Sequence, residues 1–123
     1  MAHLRVDVTT TGTAGSATGT GQTRPVMGVL SHVHVDYHAS APGTTDVTIS
    51  EAGGLGRTLL TLTNRNTDGT FYPAVAQTDG TGAAFSPASY GLFYIEGTPL
   101  KVDVAGCDAL TDAVKVSFGV LEG

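Results

Sequence analysis

Three histidines on one stretch of chain are the sharpest candidates for chemistry. His32, His34 and His38 fall at i, i+2 and i+6. On an extended strand those positions share a face, with the first two side chains ~7 Å apart. Imidazoles so placed chelate a divalent metal in some β-barrels. A complete site also needs a third and often a fourth ligand. The chain offers no Glu shortly after the pair and no His beyond residue 38. The expectation is a polar sheet face or a subunit contact. His32, His34 and His38 remain the metal candidates, and no cofactor is expected.

Other reactive residue types lack their partners. Cys107 sits between Gly106 and Asp108, and a neighbouring anion raises a thiol pKa instead of lowering it. It reads as a small, half-buried turn residue. Ser86 and Ser89 flank Pro87-Ala88 with no Gly-x-Ser-x-Gly elbow. Paired carboxylates serve glycoside hydrolysis, but Asp68, Asp79, Asp103, Asp108 and Asp112 each read as turn or solvent-face residues. Gly53-Gly54-Leu55-Gly56 precedes no helix that could aim its N-terminus at a phosphate. The chain therefore reads as non-enzymatic.

The elements that would carry these residues follow from composition and period. The chain has 123 residues and 12.5 kDa, enough for one domain with one core. Hydrophobic residues make up 41% and charged residues 14%, against about 25% charged in ordinary domains. That balance opposes disorder. Its 17 Gly and 19 Thr oppose helices. Six basic residues face eleven acidic ones, a net charge of −5. Arg5, Arg24, Arg57, Arg65, Lys101 and Lys115 are scattered, so no nucleic acid and no anionic membrane is expected as a partner. One cysteine cannot form an intrachain disulfide, which fits a reducing cytoplasm. No basic stretch followed by an apolar one succeeds Met1, so no cleaved leader is expected.

Period-two alternation marks the strands. Leu4, Val6 and Val8 form the first. Residues 1–25 read as a Thr/Gly-rich hairpin or arm, turning near Gly15 with Ala17–Thr20 running back. Residues 26–38 form the longest strand, with Met27, Val29, Val33, Val35 and Tyr37 on one face and Leu30, His32 and His34 on the other. Asp46–Glu51 and Arg57–Thr63 make a hairpin, with Val47, Ile49, Leu60 and Leu62 inward. Leu100–Val104 and Val114–Val120 close the chain. The fold class is all-β: a single small β-sandwich or jelly-roll-like domain of about eight short strands, without substantial helix.

Residues 64–98 form a long connection that holds six of the eight aromatics. Long connections in a small domain are usually functional. Some of these rings pack in the core; the others suit a protein interface. The expected contacts are Phe71, Tyr72, Tyr90 and Tyr94, with Thr9 and Arg24 bounding a second contact in the N-terminal arm. A glycan-binding platform stays open, although the chain has no Trp.

Over the whole chain the pattern resembles small structural proteins of tailed bacteriophages, above all capsid decoration (cement) proteins. The resemblance rests on the Thr-rich first strand and the Gly/Ala/Ser hairpin. It continues through Pro25–Leu30, Asp46–Glu51, Gly56–Leu60, Phe71-Tyr72-Pro73 and Tyr90-Gly91, and ends in the pair Leu100–Val104 and Val114–Phe118. It implies a non-enzymatic virion protein that binds the outside of the mature capsid and cements neighbouring capsomers. Its partners would be the major capsid protein and itself, as a homotrimer, and it would be made in the host cytoplasm. Another virion piece, from tail or head fibre, and a small metal-dependent β-barrel enzyme are the alternatives.

Overall fold

Alternating apolar residues build eleven strands across residues 1–122, the part that the computed structural model describes. They are β1 (Ala2–Val8), β2 (Ala17–Gln22), β3 (Val26–Tyr37), β4 (Asp46–Glu51), β5 (Thr58–Leu62), β6 (Gly69–Phe71), β7 (Ala74–Ala76), β8 (Tyr90–Leu92), β9 (Tyr94–Thr98), β10 (Leu100–Cys107) and β11 (Val114–Glu122). No helix occurs among the described residues.

The first sheet runs β1-β11-β3-β6, with β9 also paired to β3; the second runs β2-β10-β4-β5. Both β6 and β9 lie antiparallel to β3, at Val33–Val35 and Val26–Val29 respectively. They are two halves of one interrupted edge strand. Counted so, and with the separate β7–β8 pair set aside, eight strands form two sheets with the jelly-roll order. The chain is thus a small all-β sandwich.

The core lies between the sheets. Val6, Val33, Val35, Ile95, Val116 and Phe118 enter it from the first sheet, and Val47, Ile49, Leu100, Val102 and Val104 from the second. Each such side chain contributes roughly 1.5–3 kcal/mol on burial. Gly19 and Gly21 let β2 press against β1, because a Cβ on either would collide with Thr9, Val8 or Val6. Tyr37 ends the row; its hydroxyl is buried without a partner, and burial pushes its pKa up to about 12.

Four readings of the sequence change. Residues 1–25 are not a hairpin of adjacent strands: β1 pairs with β11, β2 with β10, and only Thr11 bridges to Thr18. The faces of β3 also switch midway. Val120 pairs with Leu30 but Gly119 with His32, so Ser31 is an extra residue. Val26, Gly28 and Leu30 are buried before this bulge, and Val33, Val35 and Tyr37 after it. Strict alternation had placed Met27 and Val29 with the second set and Leu30 with the histidines; one inserted residue reverses the parity. A second register shift, between Ile49 and Ser50, buries Leu59 and leaves Leu60 half-buried. Cys107, read as a half-buried turn residue, is fully buried at the end of β10.

Gly28 has φ +149°, and a Cβ there would overlap the Leu121 carbonyl. Gly28→Ala should cost about 2–3 kcal/mol in denaturant unfolding. Gly43→Ala, where a Cβ meets nothing within 4 Å, should change stability by less than about 1 kcal/mol. Equal midpoints for the two variants would contradict this register.

Candidate functional site

The interruption between β6 and β9 is the feature on which the candidate interface residues converge. After Phe71 the chain leaves the first sheet. It returns at Phe93, whose carbonyl accepts a hydrogen bond from Leu30 N at 2.9 Å. The departure and return lie beside the bulge at Ser31. Between them, Tyr72–Leu92 forms a β-arm in which Ala74 pairs with Leu92, Val75 with Gly91 and Ala76 with Tyr90. Apart from Pro73 and Gly91, every residue of the arm is exposed. Asp79 is the arm's one charged residue. It folds the tip by accepting from Thr81 Oγ1 at 2.6 Å, Thr81 N at 2.8 Å and Ala83 N at 3.1 Å. The Thr81 hydroxyl, followed by the backbone N–H groups, holds its carboxyl below the usual range.

Two arginines from the ends of the β4–β5 hairpin and its following loop pin the arm's roots. The Arg65 guanidinium lies over the Phe71 ring at 4.9 Å, and that of Arg57 over Phe93 at 5.4 Å. Arg57 also donates to Glu51 Oε1 at 2.8 Å, to Glu51 Oε2 at 3.0 Å and to the Tyr94 carbonyl at 2.7 Å. The Glu51 side chain is 3% exposed and that of Arg57 33%. The bidentate pair with Glu51 fixes Arg57 within the β4–β5 hairpin, and its bond to the Tyr94 carbonyl ties the second sheet to the returning strand of the first. The Arg57 side-chain hydrogen bonds hold the Glu51 carboxyl below its ordinary range, against its burial.

The six aromatics of residues 64–98 divide accordingly. Phe71 packs half-buried against the core and Phe93 is buried. Tyr72, Phe85, Tyr90 and Tyr94 are 45–70% exposed. Thr9 and Arg24 lie away from the arm: Thr9 Oγ1 accepts from Asp112 N at 3.2 Å, and Arg24 pairs with Glu122 at 2.7 Å. Exposure of the arm was not legible in the sequence. The near absence of charge from Tyr72 to Leu92 was the available signal.

The histidines stand on the outer face of the first sheet, each in its own surroundings. The His32 ring covers Gly119, where a Cβ would overlap it, and lies 6.4 Å from the rings of His3 and Tyr72. His34 Nδ1 is 2.8 Å from Thr70 Oγ1. His38 lies beyond the strand end, where its Nδ1 accepts from Ser40 N at 2.9 Å. There it borders an open cleft of about 340 Å³ shared with Asp36, Asp112 and Lys115. No three His, Cys, Asp or Glu side chains converge on a metal position among the described residues. His3, which sequence reasoning passed over, is placed beside His32 by the β1–β11–β3 register.

Protein purified without a His tag should carry no stoichiometric zinc or nickel by elemental analysis, and His34→Ala should leave its metal content unchanged. The Glu51–Arg57 pair sets an acid limit. A carboxylate whose folded pKa is depressed stabilises the fold above its unfolded pKa, about 4.3. That contribution disappears as pH falls through the folded value. Glu51→Gln should lose roughly 1–3 kcal/mol at pH 7 and show a flatter loss of melting temperature below pH 4 than the native chain. Parallel pH profiles would remove this pair from the account.

The chain matches no protein-family model, and no curated protein is significantly similar to it.

Proposed function

We propose that the protein is a non-enzymatic structural component of a tailed-phage virion. In this reading it binds the outer surface of the mature capsid as a homotrimer and cements neighbouring capsomers. The observation that carries the reading is the Tyr72–Leu92 arm, an exposed and nearly uncharged extension pinned at both roots to a rigid jelly roll. A segment of that composition gains by being covered. The sequence resemblance to decoration proteins supports the same reading. A net charge of −5 suits the exterior of a shell, away from packaged DNA. Binding only the expanded lattice would stabilise it by mass action, and three copies together would multiply weak contacts.

On this reading Tyr72, Tyr90 and Tyr94 provide contact surface, while Phe71 anchors the arm's root. The N-terminal grip expected between Thr9 and Arg24 would be made by a sheet edge and its flanking turns, since β2 lies in the second sheet.

Purified protein added to capsids that lack it should bind saturably at lattice positions and raise the temperature at which DNA is released. Protein left in the supernatant would refute the proposal. Occupancy confined to the tail would replace it with the tail or fibre role.

A further inference from the structure

We infer that the uncharged outer strip of the first sheet, continued onto the arm, is the surface on which a second copy of this chain docks. This deepens the proposed self-assembly and is independent of the capsid.

The register builds the strip. Leu121 pairs with Val29, and Val29 with Tyr94, so the three lie at one level across β11, β3 and β9. All three point away from the core: Leu121 and Tyr94 are exposed and Val29 is half-buried, while their neighbours Val120, Leu30, Phe93 and Ile95 are buried. The bulge at Ser31 creates this arrangement, because it turns Met27 and Val29 outward below the histidines. Alternation along β8 and β9 then carries the surface from Tyr94 to Leu92 and Tyr90, whose arm partners are Ala74 and Ala76. Tyr72 joins it from the other root.

Met27, Tyr72, Tyr90, Leu92, Tyr94 and Leu121 are each 46–70% exposed. At ~150–250 Å² per large side chain, they present on the order of 600 Å² of mostly apolar surface. Monomeric proteins rarely leave more than a few hundred Å² contiguous. With a polar rim the strip approaches the ~800 Å² per partner of a standard interface. Such a rim is present: Glu96 pairs with Met27 at one border, and the Arg24–Glu122 ion pair stands at the same end.

Charge selects the occupant. A strongly basic partner would meet no carboxylate inside the strip, so the protein's net −5 gives it no purchase there. Two copies of an acidic chain repel each other over most approaches. They meet without that penalty where neither presents a charge.

The test compares native protein with Leu121→Lys and Tyr94→Lys by sedimentation over a wide concentration range. Thr61→Lys, on the exposed edge strand β5, is the control, and thermal melts establish that all are folded. Native protein and Thr61→Lys should self-associate. Each strip variant should lose at least about tenfold in association constant, since it buries a charge in an apolar contact. A monomeric native protein, or strip variants that associate like the native chain, would overturn the inference. A monomer that binds capsids through Tyr94 would make the shell the occupant and also overturn it. An oligomer that ignores capsids would refute the capsid reading and leave this assignment standing.

Discussion

The pairing of β3 with its neighbours governs the rest of the molecule. Its twelve residues bond to β11 along one side and to β6 and β9 along the other. A strand that long in a curved sandwich cannot keep one parity and also follow the core. The extra residue at Ser31 resolves the conflict by bending the strand and exchanging its faces. Val26 and Leu30 stay buried on one side of the bend, and Val33 and Val35 on the other. At the same level the edge strand opens and releases the arm. The bulge, the interruption and the outward apolar residues therefore lie together at one level of β3.

The arginine contacts are secondary in energy and primary in geometry. A cation over an aromatic ring is worth about 0.5–2 kcal/mol, less than the burial of a single large core side chain. Arg57 nonetheless joins elements of both sheets. It grips Glu51 in the second sheet, Phe93 at the arm's root and the Tyr94 backbone in the first sheet. With one buried cysteine and no disulfide, such polar ties hold the open side of the sandwich. They also keep the arm's two roots at a fixed separation.

Much of the fold was legible because buried strands impose period two. The spans of β1, β3, β4, β5, β10 and β11, and the β4–β5 hairpin, follow from that pattern. What failed were the positions where one residue breaks it. Nothing local to Ser31 distinguishes an inserted residue from an alternating one, so Leu30 was placed with the histidines. Leu60 was placed fully inward, and Leu59 left out of the core, for the same reason at a second shift. Pairing partners were also beyond reach, because β1 and β2 follow each other in the chain yet belong to different sheets. At the candidate site, the density of aromatics was visible. Which rings faced inward depended on the arginines placed over Phe71 and Phe93, contacts set by tertiary structure.

The arm leaves and rejoins one edge strand at nearly the same point. Its length and sequence are consequently decoupled from the core: residues can be added, removed or exchanged between Ala74 and Tyr90, all of them exposed, without altering an interior pair. The jelly roll acts as a socket and the arm as its cassette. A lineage built on this plan can follow a drifting partner surface by rewriting the exposed part of the arm while the framework that presents it stays fixed.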